Sequence, residues 1–72
     1  MVQVEITTEY IKLQDLMKLA SAVPTGGAAK LAIRDGEVEV NGEVCTQRGK
    51  KIRPGDDVFF AKEHYAVTYA DQ

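Results

Sequence analysis

Four cations fall within six residues of the chain, in the run Arg48-Gly49-Lys50-Lys51-Ile52-Arg53. Side chains of this type at this density hold anions. They suit a polyanion best, because each neutralised phosphate contributes an electrostatic term that ignores sequence. A second candidate lies upstream, where Gly26-Gly27 is followed by Lys30 and Arg34. Glycines opening a helix let an anion approach the backbone N–H groups at the positive end of the helix dipole, and cations at spacings of three and four continue that face. Lys12 widens the patch. The candidate anion-binding residues are therefore Lys12, Gly26, Gly27, Lys30, Arg34, Arg48, Lys50 and Lys51. Arg34 weighs least, because Asp35 and Glu37 can screen it. The bland alternatives are a tight glycine turn, solvated helix cations, and a loop whose charges pair with neighbouring carboxylates.

Other reactive residue types are sparse. Cys45 is the single cysteine and His64 the single histidine, so no intrachain disulfide can form and the ligand set falls short of a structural zinc site. Cys45 reads as a small, half-buried packing residue and His64 as a loop residue. The carboxylates are dispersed and form no recognisable acid–base pair. The expectation is a protein with no catalytic residues, no cofactor, no metal and no small-molecule substrate.

Short alternating runs and two helical segments must position these cations. Residues 2 to 6 alternate apolar and polar with the period of a strand that has one buried face. Leu13, Leu16, Met17 and Ala20 take helical spacing, and Pro24 ends that helix near Ser21 or Ala22. Thr25 is an N-cap for a second helix over 26 to 35, with Ala29, Ala32 and Ile33 facing the core and Gly36 suited to a left-handed terminus. Residues 37 to 40 and 43 to 46 flank Asn41-Gly42, the dipeptide best matched to a type I′ hairpin. Pro54-Gly55-Asp56 makes the next turn. Val58-Phe59-Phe60 forms a further strand, and Tyr65, Val67 and Tyr69 lie on a last one able to pair with residues 2 to 6. Val38, Val40, Val44 and Ile52 are assigned to the core, and Asn41-Gly42 to turn chemistry alone.

A chain of 72 residues buries one core, so residues 1 to 72 are read as one domain. The net charge of −2 conceals the cations, because Glu37, Glu39, Glu43, Asp56 and Asp57 flank them. A lone thiol, with neither a signal-peptide core nor an apolar run of membrane-spanning length, points to the cytoplasm and to no membrane association.

The segment from Ile11 to Phe60 resembles the S4 RNA-binding domain superfamily. The resemblance is carried by 13 to 18 (Leu-Gln-Asp-Leu-Met-Lys), by 29 to 43 (Ala-Lys-Leu-Ala-Ile-Arg-Asp-Gly-Glu-Val-Glu-Val-Asn-Gly-Glu), and by 51 to 58 (Lys-Ile-Arg-Pro-Gly-Asp-Asp-Val). Thr25-Gly26-Gly27-Ala28-Ala29-Lys30 and Arg48-Gly49-Lys50-Lys51 are similar to its small stand-alone branch, often called YaaA-like or YbcJ-like. Many S4 domains carry Ser-Arg where this chain has Gly26-Gly27, so one cation of the pattern is missing. The resemblance implies an α+β, S4-like (alpha-L) fold, with two helices packed on a small antiparallel sheet and paired terminal strands. It also implies a non-catalytic module for structured RNA, rRNA or tRNA, with ribosomal particles as a further partner. Phe59 and Phe60 read as partly buried strand residues and no RNP-like aromatic motif is present. Backbone and shape contacts are therefore expected rather than base stacking.

Two other classes compete. A protein-interaction adaptor would use exposed sheet edges and have no RNA affinity. A ubiquitin-like sulfur carrier ends in Gly-Gly, and Ala70-Asp71-Gln72 reads against it.

Overall fold

The computed structural model describes residues 1 to 70. In chain order the elements are β1 (Val2–Ile6), β2 (Ile11–Lys12), α1 (Leu13–Leu19), α2 (Gly26–Arg34), β3 (Glu39–Val40), β4 (Glu43–Val44), β5 (Lys51–Ile52), β6 (Asp57–Phe60) and β7 (Glu63–Tyr69). Five strands form one sheet in the order β1-β7-β6-β3-β4, and β2 pairs with β5 in a separate two-stranded ribbon.

Local chemistry explains both helices. Thr25 sits in extended conformation and its Oγ1 accepts the Ala28 N–H at 3.1 Å, which caps α2. At the other end the Gly36 N–H donates to the Ile33 carbonyl and the Glu37 N–H to the Ala32 carbonyl, both at 3.1 Å, with Gly36 at φ +76°. That is a Schellman motif. It consumes Glu37, so the following strand starts at Glu39 rather than 37. α1 closes in the same way, through Ser21 N–H to Lys18 and Ala22 N–H to Met17, with Ser21 at φ 58°. The motif stops α1 at Leu19, before the Ser21 or Ala22 expected from Pro24.

Leu13, Leu16 and Met17 of α1 and Ala29, Ala32 and Ile33 of α2 are buried together with Val4, Ile6, Val38, Val40, Ile52, Val58 and Val67. Burying an aliphatic side chain of this size stabilises by about 1.5–3 kcal/mol, so these contacts hold the layers together. Val44 does not belong to this core: it is 62% exposed on β4, the edge strand, which pairs with β3 alone.

The terminal strands do pair, with Val4 opposite Val67, but β1 and β7 run parallel. The large sheet is antiparallel from β7 through β4 and parallel at the β1 edge. Alternation determines which face a residue occupies and leaves strand direction open, and the long stretch between β1 and β7 provides the crossover that parallel pairing needs.

Asn41 at φ 52° and Gly42 at φ 86° form the expected I′ turn between β3 and β4. Asn41 does more than turn: its Oδ1 accepts the Asp57 N–H at 2.9 Å and its Nδ2 donates to Asp56 Oδ1 at 3.0 Å, tying the hairpin to β6. Pro54 and Gly55, the latter at φ 97°, occupy the centre of a type II turn closed by the Asp56 N–H to the Arg53 carbonyl. The β6–β7 turn is made by Ala61 and Lys62, both at positive φ. His64, expected in a loop, lies in β7 opposite Phe59; the two rings are 4.6 Å apart, and Nδ1 is 2.8 Å from Asp57 Oδ2.

Candidate nucleic-acid interface

The basic run is organised by its backbone. The Lys50 N–H donates to the Gln47 carbonyl, which closes a turn with Arg48 and Gly49 at its centre. The turn is then fastened to the start of α1: the Leu13 N–H donates to the Lys50 carbonyl at 2.9 Å and the Gln14 N–H to the Arg48 carbonyl at 3.1 Å. Lys12 occupies the N-cap position of α1 and makes no side-chain cap. The turn therefore does the capping, because it satisfies two of the N–H groups that a helix start leaves without partners. In this way the fold fixes Arg48 and Lys50 beside the first turn of α1.

Lys51 follows directly in β5. The antiparallel register of the ribbon sets Ile11 opposite Ile52 and Lys12 opposite Lys51. Ile52 is buried and anchors the ribbon on α1, while both lysines are exposed. Like charges directly opposite each other in a strand pair are destabilising, by a few tenths to about 1 kcal/mol. Lys12 and Lys51 thus share one side of the ribbon, with the backbone of Arg48 and Lys50 fixed next to them and Arg53 just beyond β5, a basic edge from which Lys50 also lines a groove with Glu43, Val44 and Gln47.

Among the described residues no Lys or Arg head of this edge is in an ion pair, although Glu9 and Asp15 line a groove with Lys12. Among the described residues the ion pairs are Met1 N-terminus to Glu63 and Arg34 to Asp35, and His64 Nδ1 lies 2.8 Å from Asp57 Oδ2. The carboxylates nearest the basic run in sequence are otherwise engaged. Asp56 accepts from the Arg53 backbone N–H at 2.8 Å and from Asn41, and Asp57 faces His64. They serve turns and the β6–β7 hairpin rather than the Lys and Arg heads.

The other four candidates are on α2, which packs against α1. Gly26 and Gly27 form its first turn, and Lys30 and Arg34 are exposed further along it. A Cβ added at Gly26 would meet nothing within 4 Å, and one at Gly27 would meet only Thr25 Oγ1 at 3.8 Å. Neither glycine has a positive φ, so neither packing nor backbone conformation demands glycine there. Arg34 is held by its neighbour, with Nε 3.3 Å from Asp35 Oδ1.

One participant was missed in the sequence. Tyr10, in the turn before β2, lies under two of the cations: Lys51 Nζ is 5.0 Å from its ring centroid and Arg53 Cζ is 6.0 Å away. Both distances are within cation–π range. Nothing in the spacing of residues 7 to 12 announces this contact, because it depends on the β2–β5 register. Two further features bear on chemistry. Among the described residues no group of three or more His, Cys, Asp or Glu is placed to hold a metal ion, and no helix is long and apolar enough to cross a membrane.

Comparison with known proteins places this geometry. Residues 4 to 68 match the model of the S4 domain family. The chain is 42% identical over 55 residues to "Probable ribosome maturation protein RlbA" of Bacillus subtilis (strain 168), an alignment covering 76% of this chain and 78% of the relative. It is also 42% identical over 59 residues to "Putative RNA-binding protein YbcJ" of Escherichia coli (strain K12), covering 82% and 84%. The solution structure of Escherichia coli YbcJ, described as revealing an αL motif involved in RNA binding, superposes with a TM-score of 0.73 at 35% identity, over 94% of this chain and 87% of that one. With a capped helix pair, a hairpin on the Asn-Gly turn and a family match across nearly its whole length, the chain belongs to the S4 domain family.

Proposed function

We propose that this protein is a non-catalytic, cytoplasmic module that binds structured RNA, rRNA or tRNA, through its phosphate backbone and shape, and works on ribosomal particles. The observation that carries the reading is the basic edge, where Lys12 and Lys51 face each other across the β2–β5 ribbon and Arg48 and Lys50 are pinned beside them. A marginally stable chain of this size retains a repulsive pair at a cost, and a phosphate between the two heads turns that cost into attraction. Gly26, Gly27 and Lys30 of α2 add a second approach for phosphate, with Arg34 in a lesser role. The names borne by RlbA and YbcJ, and the αL motif of the latter, support the same ligand class.

Fluorescence anisotropy with a folded rRNA hairpin and a tRNA tests this. With about five phosphates engaged, the logarithm of affinity falls against log salt with a slope of roughly −4, about a 250-fold loss between about 50 and about 200 mM. The double substitution Lys50→Ala, Lys51→Ala is expected to bring the slope to roughly −2 and to weaken low-salt binding by at least about tenfold. Unchanged affinity and slope would remove these lysines from the interface. If the folded wild type ignores RNA at low salt yet captures a protein partner in a nuclease-resistant pull-down, the adaptor reading replaces this one.

A further inference from the structure

Beside the basic edge lies a groove of about 370 Å³ lined by Thr8, Glu9, Tyr10, Ile11, Lys12 and Asp15. Its walls are mainly apolar, and its size falls at the lower end of the range of small-ligand sites. Thr8 Oγ1 donates to the Tyr10 carbonyl at 2.8 Å, which fixes the turn that presents the ring. Tyr10 is 37% exposed, with the Lys51 ammonium and the Arg53 guanidinium over its ring, so a ligand stacks on the part of the ring that they leave open.

Three chemistries meet at this groove: the aromatic surface of Tyr10, the cation Lys12 in its wall with Lys51 and Arg53 near the ring, and the carboxylates of Glu9 and Asp15. A phosphate alone is a poor occupant, because the two carboxylates repel it. An apolar side chain would leave the cations and the carboxylates without partners. A nucleotide with an unpaired base satisfies all three. Its base stacks on the ring, as bases do in sequence-tolerant sites on aromatic side chains. Its phosphate meets Lys51, Arg53 and Lys12. The carboxylates accept hydrogen bonds from an exocyclic amino group, the contact by which Asp and Glu recognise cytosine N4.

Resting on the RNA reading above, we infer that this groove receives one extrahelical nucleobase of the bound RNA, stacked on Tyr10, and that Glu9 and Asp15 select a base carrying an exocyclic amine over uracil. Tyr10 is thereby the specificity element of a surface that otherwise reads only phosphate and shape.

Four hairpin RNAs with the same stem separate the possibilities: one fully paired, one with a single bulged adenine, one with a bulged uridine and one with an abasic bulge. The wild type is expected to bind the adenine bulge roughly tenfold more tightly than the paired and abasic RNAs, within the range stacking of one base supplies, and more tightly than the uridine bulge. Tyr10→Phe keeps this gain. Tyr10→Ala, at an exposed position and checked by thermal melting, abolishes it: the ratio of adenine-bulge to paired-stem affinity, both measured on this variant, falls to about one. Glu9→Gln with Asp15→Asn narrows the gap between adenine and uridine. Equal wild-type affinity for all four RNAs, or a bulge preference that survives Tyr10→Ala, overturns the groove assignment and leaves phosphate binding standing. Failure to bind any of the four would remove the RNA reading and this inference together.

Discussion

The two ends of the β-structure treat charge in opposite ways. Where β6 meets β3 and β7, polar heads are paired within the protein: Asn41 bridges Asp56 and the Asp57 N–H, Asp57 faces His64, and Glu63 meets the N-terminal ammonium at 3.0 Å. At the β2–β5 ribbon, Lys12 and Lys51 are set against each other, and Arg48 and Lys50 crowd the same helix start. The first arrangement spends polar groups on the fold. The second is a local conflict, and such conflicts in an otherwise consistent sequence mark the surface that a ligand completes. The net charge of −2 averages over this contrast, and for that reason says little about the partner.

Breaking the satisfied end should have the largest effect, and on stability alone. Asn41→Ala places a Cβ-branching-free but unsuited residue at φ 52° and removes both hydrogen bonds to β6. The left-handed conformation costs Ala about 1 kcal/mol and the lost bonds about another. A loss of about 2 kcal/mol lowers the melting temperature by roughly 8–16 °C in a domain of this size. At a temperature where the variant is still folded, its RNA affinity should match that of the wild type. Asn41→Gly keeps the turn and loses only the bridging bonds, so its melting temperature should fall between the two.

Breaking the ribbon should move stability and binding in opposite directions. Lys12→Glu converts the repulsive pair with Lys51 into a complementary one, worth a few tenths to about 1 kcal/mol of added stability. The same change puts a carboxylate where phosphate is expected, and RNA affinity at low salt should drop by about tenfold. Thermal melting and anisotropy on one preparation measure both. A variant that loses stability, or gains it without losing affinity, breaks the link between the conflict and the ligand.

What could be read from the sequence follows the range of the forces involved. The Thr25 cap, the Gly36 terminus, the Asn41-Gly42 hairpin and the Pro54-Gly55 turn each depend on a few adjacent residues, and each is present. The β2–β5 ribbon was not legible, because two-residue strands show no alternation and their pairing joins residues about forty positions apart. The Ala61-Lys62 turn was hidden for the opposite reason. Its dipeptide argues against positive φ, and the long β6–β7 pairing imposes it. His64 looked like a loop residue because its turn could not be placed. The basic run was plain as a run, whereas the opposition of Lys12 and Lys51 and the position of Tyr10 under Lys51 and Arg53 required the register.

The smallest effect is expected on α2, where the same contrast recurs within one helix. Lys30 and Arg34 lie one turn apart and both are exposed, but Arg34 is 3.3 Å from Asp35 whereas Lys30 has no carboxylate partner among the described residues. A cation already shared with a carboxylate attracts fewer counterions, so it releases fewer when RNA binds. Lys30→Ala should therefore weaken RNA binding by about threefold to fivefold and reduce the salt slope by about 1, and Arg34→Ala should change affinity by about twofold at most. Asp35→Asn provides the decisive control. If pairing is what silences Arg34, removing the charge of Asp35 should strengthen RNA binding and make Arg34→Ala in that background as costly as Lys30→Ala, a coupling read directly from the double-mutant cycle. Equal losses at Lys30 and Arg34 with Asp35 intact would mean that an exposed local pair of this kind does not withhold a cation from RNA.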